Sequence, residues 1–147
     1  MKDILTFLLE SNAEKLSDKL LESKDFLIIA SNNNMGSNLT DQVEKIVKQT
    51  IKKNTVIWYI DEDTQPNDLS DEDNPMFGQI IQNKGNCVLL LMLENTDSKI
   101  LNALMPIILK HNINNKIYKE MVIGVVTPNS KKLPDPILSR LGNAVIL

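Results

Sequence analysis

Arg140 is the only arginine among the sixteen basic residues of this 147-residue chain; every other one is lysine. It closes the phrase Leu133-Pro134-Asp135-Pro136-Ile137-Leu138-Ser139-Arg140. A guanidinium offers a planar fork of donors that matches the oxygens of a carboxylate or phosphate, which an ammonium does not. In a lysine- and asparagine-rich chain, such as an AT-rich genome encodes, one retained arginine reads either as an oxyanion contact or as a surface packing residue. A second set of residues lies earlier, in Ser31-Asn32-Asn33-Asn34-Met35-Gly36-Ser37-Asn38. This stretch follows an apolar run and precedes a helical pattern, where a phosphate-cradling loop of the form Gly-x-x-x-x-Gly-Lys-Ser/Thr would stand. Gly36 matches the second glycine. Ser31 replaces the first, Ser37 the lysine, and Asn38 the magnesium-binding hydroxyl. Helix N-terminal amides still hold an anion weakly, but without the lysine the outer phosphates lose their main positive partner. The loop therefore reads as a weak nucleotide-like site or as a plain strand-to-helix connection.

Glu94 ends the most apolar run in the chain, Val88-Leu89-Leu90-Leu91-Met92-Leu93. A carboxylate there activates water in nucleotide hydrolases when the preceding residue is an Asp that holds magnesium, and here that residue is Leu93. Glu94 thus reads as a base without a metal partner or as a polar strand terminus. Lys45, Lys48, Lys52 and Lys53 are expected on one helix, as phosphate contacts or as a solvated face. Residues 61–74 carry seven acids and no base. They lack the alternating oxygen ligands and the glycine of a calcium loop, so a solvated loop is the expectation. A single histidine and a single cysteine argue against a protein-only zinc site, and no metal ligand set is assigned.

These residues need elements to position them. Ile4, Leu5, Leu8, Leu9, Leu16, Leu20 and Leu21 recur at helical spacing, which predicts one amphipathic helix or two short ones. Phe26–Ala30 reads as a buried parallel strand. Leu39–Lys53 reads as a helix and Thr55–Ile60 as a second strand. A short helix is expected over Met76–Gln82, ending at Lys84-Gly85. Cys87–Leu93 is expected as the central strand. Ser98–His111 reads as a helix that Pro106 must kink or shorten. A strand over Met121–Val126, a helical turn over Ile137–Leu141 and a last strand over Ala144–Leu147 complete the order. Strands and helices alternating in this way predict an α/β fold: a three-layer sandwich around a five-stranded, mainly parallel sheet. Its ligand-binding loops, Ser31–Asn38, Glu94–Asp97 and Thr127–Lys132, belong at the carboxyl ends of the strands.

The length fits one domain, with residues 1–25 as an N-terminal helical segment and 26–147 as the core. A hydrophobic fraction of 42% and a net charge of -3 are ordinary for a globular protein and unlike a whole-surface nucleic-acid binder. No apolar stretch reaches the length of a bilayer span, and the acid-bearing N-terminus is unlike a signal peptide. Cys87 in its apolar run suits a buried thiol in a reducing compartment, so a cytoplasmic location is expected. The composition also suits a phage or mobile-element protein.

Taken in order, these positions resemble the AAA+ ATPase core over Phe26–Leu147. Phe77–Gly85, the apolar strand and Glu94 are similar to the run into Walker B of MoxR-like and enhancer-binding-protein ATPases, and Ser98–Met105 to the helix that follows. Val125-Val126-Thr127-Pro128-Asn129 ends where that family carries its sensor-1 residue, a role implied for Thr127 or Asn129. The phrase ending in Arg140 resembles the stretch whose arginine reaches a neighbouring subunit's nucleotide. In clamp-loader subunits that arginine follows a serine, as Arg140 follows Ser139. The departures are equally plain: Walker A lacks its lysine and first glycine, Walker B lacks its aspartate, and the 147 residues end where the family's helical lid would begin. The resemblance therefore implies a degenerate, non-catalytic module without a bound cofactor. It would work through contacts with itself or with a competent AAA+ ATPase, to which Arg140 would offer a finger. The alternatives are a weak ATPase using ATP and magnesium through Gly36, Glu94 and Thr127, and a nucleic-acid-associated accessory subunit of the clamp-loader kind.

Overall fold

Five segments rich in Val, Ile, Leu and Phe pair in parallel to form the centre of the molecule, described from a computed structural model of the chain. The structure describes residues 4–31, 37–69, 73–94, 96–129 and 132–146. The elements run α1 (Ile4–Leu21), β1 (Phe26–Ile29), α2 (Ser37–Ile51), β2 (Asn54–Ile60), a 3-10 turn at Pro66–Leu69, α3 (Pro75–Gln82), β3 (Cys87–Leu93), α4 (Ser98–Lys110), β4 (Asn112–Ile113), β5 (Lys116–Ile117), β6 (Val122–Thr127), α5 (Asp135–Leu141) and β7 (Val145–Ile146). The sheet order is β2-β3-β6-β1-β7, with every neighbouring pair parallel.

The alternation of side chains across each strand divides the core into two layers. On one side Cys87, Leu89, Leu91 and Leu93 of β3 meet Trp58, Phe77, Ile100, Leu104, Ile137 and Leu141, so α3, α4 and α5 cover that face. On the other, Val88, Leu90 and Met92 meet Phe26, Ile28, Leu16, Leu20, Leu39, Val43 and Val47, so α1 and α2 cover the second face. The expected three-layer α/β sandwich is therefore the fold. The first segment forms one helix, α1, rather than two.

Several local expectations change. Cys87–Leu93 is buried throughout but is second in the sheet; the centre belongs to β6, which lies between β3 and β1. β6 reads as less apolar because it contains Gly124, whose missing Cβ makes room for the Phe26 ring and for Leu90. Pro106 sits inside α4 without shortening it, and the helix continues to Lys110. α2 ends at Ile51, so Lys52 and Lys53 fall beyond the helix, and Lys53 Nζ instead donates to the Glu120 carbonyl at 3.1 Å. The β4–β5 hairpin had no sequence expectation. Its turn residues Asn114 and Asn115 both have positive φ, the mirror-image turn that asparagine tolerates and that matches strand twist. Among the described residues, no helix is long and apolar enough to cross a membrane.

Candidate functional site

The described ends of the loops expected at the carboxyl ends of the strands lie there, while residues 32–36, 95 and 130–131 of those loops lie outside the described residues. Ile29 of β1 is level with Thr127 of β6, Val126 is level with Met92 of β3, and Ile60 of β2 with Leu93. Adjacent strands are about 4.8 Å apart, so Ser31, Glu94 and Thr127 lie along one short stretch of that edge. What they present there is limited. Thr127 is buried, and its hydroxyl closes its own loop by accepting the Asn129 N–H at 3.3 Å. Asn129, Asn38 and Glu94 are exposed. Leu93, at the place of a magnesium-binding aspartate, is 1% exposed and packed into the α3–α5 layer. Ser37 opens α2. Gly36 lies outside the described residues.

Arg140 is not at this edge. α5 starts beyond the carboxyl end of β6 and runs back across the sheet, and its last turn lies beside Asp25, the residue immediately before β1. Arg140 and the nucleotide-like residues are therefore at opposite ends of the strands, roughly 15 Å apart at a strand rise of about 3.3 Å per residue. The Arg140 guanidinium approaches Asp25 Oδ2 at 3.5 Å; the arginine side chain is 49% exposed and the aspartate side chain 2%.

Asp25 is the hub of this end of the molecule. Its Oδ1 accepts the Ile123 backbone N–H at 2.9 Å, and its Oδ2 lies 2.7 Å from His111 Nε2. His111 caps α4 in the left-handed conformation, with its N–H bonded back to Ile107. Its Nδ1 faces the Tyr118 carbonyl at 3.1 Å. Both ring nitrogens thus face acceptors, an arrangement that only the doubly protonated imidazolium satisfies completely. The hydrogen bond to Asp25 accordingly raises the His111 pKa; burial pulls it down, Asp25's charge raises it further, and Arg140's charge opposes. One carboxylate therefore ties the start of β1 to β6 and to the end of α4, with Arg140 as an outer partner.

Beside Arg140 opens a groove of about 560 Å³ lined by α1 and the α5–β7 turn, including Lys19, Glu22, Lys24 and Gly142. Lys19 Nζ donates to the Leu141 carbonyl at 3.1 Å, a cation on the negative end of α5. Burial, then the neighbouring Lys24, lowers the Lys19 pKa. Lys24 pairs with Glu22 at 2.8 Å on the surface. The groove is a polar cleft of mixed charge, with the guanidinium on its rim.

Asp25 and His111 carried no sequence expectation of a role. They are 86 residues apart, and nothing local to either announces the other. The available signals were faint: a lone acid directly before an apolar strand, and the chain's single histidine at a helix end. Among the described residues, no group of three or more His, Cys, Asp or Glu side chains is placed to hold a metal ion.

No protein-family model matches the sequence, and no curated protein is similar to it. Solved structures are similar in fold. Two mutant forms of RuvB from Thermotoga maritima superimpose with TM-scores of 0.59 and 0.58, at 15% and 16% identity. The match takes in 97% of this chain and 44% and 45% of those chains, so this chain spans less than half of their length. At this identity the likeness concerns the fold alone, a three-layer α/β sandwich around a parallel sheet.

Proposed function

We propose that this chain is a non-catalytic AAA+-like module that acts through protein contacts, as an accessory subunit offering Arg140 to the nucleotide of a competent AAA+ ATPase. The observation that carries this reading is the state of Arg140. Its ion pair is long, at 3.5 Å, and half of the side chain faces solvent. Asp25 already has shorter bonds to His111 and Ile123. The guanidinium is thus held by one long contact that leaves it at the groove it lines. The carboxyl edge supports the same reading. Leu93 in the core brings no ligand for magnesium, and Ser37 in place of a lysine brings no cation for the phosphates.

The test is phosphate release by an AAA+ ATPase that co-purifies with the full chain. Stimulation by wild type is expected to fall by about a thousandfold or more with Arg140→Ala and equally with Arg140→Lys, because an ammonium does not reproduce the fork. Stimulation that survives both changes removes the finger role. Calorimetric titration of the chain alone with ATP and magnesium is expected to stay flat at millimolar nucleotide, and saturable heat would favour the weak-ATPase reading instead.

A further inference from the structure

The β2 end of the sheet carries a different kind of information. β2 is a terminal strand: among the described residues only β3 pairs with it. Ile60 accepts the Glu94 N–H at 2.9 Å, so the Ile60 carbonyl points toward β3. Backbone direction alternates along a strand, so Asn54, Val56 and Trp58 also turn toward β3. Thr55, Ile57 and Tyr59 then turn their N–H and C=O groups to the open side. Edge strands are usually protected by an internal lysine, a proline or a bulge. β2, with the sequence Asn-Thr-Val-Ile-Trp-Tyr-Ile, has no charge and no proline along its seven residues. Tyr59 is 52% exposed.

The charges lie at its two ends and are of opposite sign. Lys52-Lys53 precede the strand and Asp61-Glu62-Asp63 follow it. We infer that β2 pairs antiparallel with β2 of a second copy of this chain, with Ile57 opposite Ile57 at a two-fold axis. In that register Thr55 lies opposite the second copy's Tyr59, and the outward-facing groups exchange about six ladder hydrogen bonds. The same register brings the Lys52-Lys53 end of each strand beside the Asp61-Glu62-Asp63 end of the other, just beyond the ladder at each end of the ribbon. A parallel arrangement of the two strands would put lysine beside lysine and acid beside acid. Opposite charges at adjoining strand ends attract and like charges repel, so the sequence selects the antiparallel two-fold pairing. The two sheets then run on as one, and the Arg140 groove, beside β1 and β7 at the far end of each sheet, stays open. This pairing does not depend on the finger role of Arg140.

Sedimentation of the full chain from micromolar to near-millimolar concentration is expected to show a reversible dimer. Lys52→Glu and Glu62→Lys, both at exposed positions, are each expected to weaken it by about tenfold or more, since each makes both ends of the ribbon repulsive. An equimolar mixture of the two variants is expected to recover near wild-type affinity as a heterodimer, because every facing pair is again of opposite sign. In the wild-type dimer the amide hydrogens of Thr55, Ile57 and Tyr59 are expected to gain protection with concentration, while those of Val56 and Trp58 do not change. A chain that stays monomeric throughout overturns the proposal. So does a dimer that is indifferent to both reversals, or one whose Thr55, Ile57 and Tyr59 amides exchange as in the monomer.

Discussion

Replacing Asp25 with alanine tests a buried carboxylate that joins three elements at once. The change removes the acceptor for the Ile123 N–H and the partner of His111 Nε2, both buried, together with the outer contact to Arg140. A buried donor left without an acceptor costs about 1–3 kcal/mol. Breaking a buried ion pair by deleting one partner costs about 3–5 kcal/mol. These overlap in one carboxylate, so a loss of about 3–5 kcal/mol is expected for Asp25→Ala. Arg140→Ala removes only a long, half-exposed contact and is expected to cost less than about 1 kcal/mol. The ion pair also fixes a pH dependence. His111 has its pKa raised above the ordinary 6.5, so its contribution is fully present below 6.5 and fades as pH rises through the raised value. Urea unfolding at pH about 6 and about 9, followed by the fluorescence of the buried Trp58, measures both effects. Wild type is expected to lose stability between those values relative to His111→Asn, which keeps a residue tolerant of the left-handed cap. Asp25→Asn keeps an acceptor for Ile123 but no charge for the imidazolium, and is expected to flatten the same difference. An Asp25→Ala chain within about 1 kcal/mol of wild type would refute the hub. So would a wild type that gains stability over His111→Asn as the pH rises.

Two further outcomes follow from packing. Gly124→Ala is expected to destabilise by about 1–3 kcal/mol, because a Cβ there collides with the Phe26 ring and meets Leu90 Cδ2 at 2.8 Å. Gly78→Ala, in the exposed middle of α3 with nothing within 4 Å of the added carbon, is expected to stabilise by about 0.5–1 kcal/mol; equal unfolding midpoints for the two variants would contradict this account. Burial pushes the Cys87 thiol up to about 11, so about one part in a thousand is thiolate at pH about 8. A soluble disulfide reagent is expected to label it only through opening of the fold, at a rate that rises with urea. Labelling of the folded chain as fast as free cysteine would show that β3 is less enclosed than described.

Elements whose character is written in neighbouring residues were legible from the sequence. The apolar strand runs, the apolar face of α2 and the Lys84-Gly85 stop lie close to where the pattern put them, because each depends on side chains within one turn or one strand; on α1, Leu16 and Leu20 are buried as expected but Leu21 is 66% exposed. Position within the sheet was not legible in the same way. β3 is the most apolar strand, which marks burial on both faces, but rank in apolarity does not give rank in order; β6 holds the centre with a glycine that serves Phe26. The candidate site divides along the same line. The carboxyl-edge loops follow from strand–helix alternation alone. The fate of Arg140 depended on Asp25, 115 positions earlier in the chain, and on the direction in which a two-turn helix crosses the sheet. The hairpin at 112–117 was missed because its strands are two residues long, too short for any periodicity to register.

The pairing of β1 has a consequence for how the chain is made. Among the described residues its neighbours are β6 and β7, with Phe26 level with Gly124 and Ile28 with Val145. During synthesis the first strand to leave the ribosome therefore has no partner until most of the chain has followed it. In the meantime α1 and α2 can pack on one another through Leu16, Leu20, Val43 and Val47, giving Phe26–Ile29 an apolar shelter. Pairing of β1 with β6 then closes a loop of about a hundred residues, a non-local step that is slow compared with local helix packing. The Asp25 bond to Ile123, which spans 98 positions, can form only in that step. Its formation marks the moment at which β1 is tied to β6.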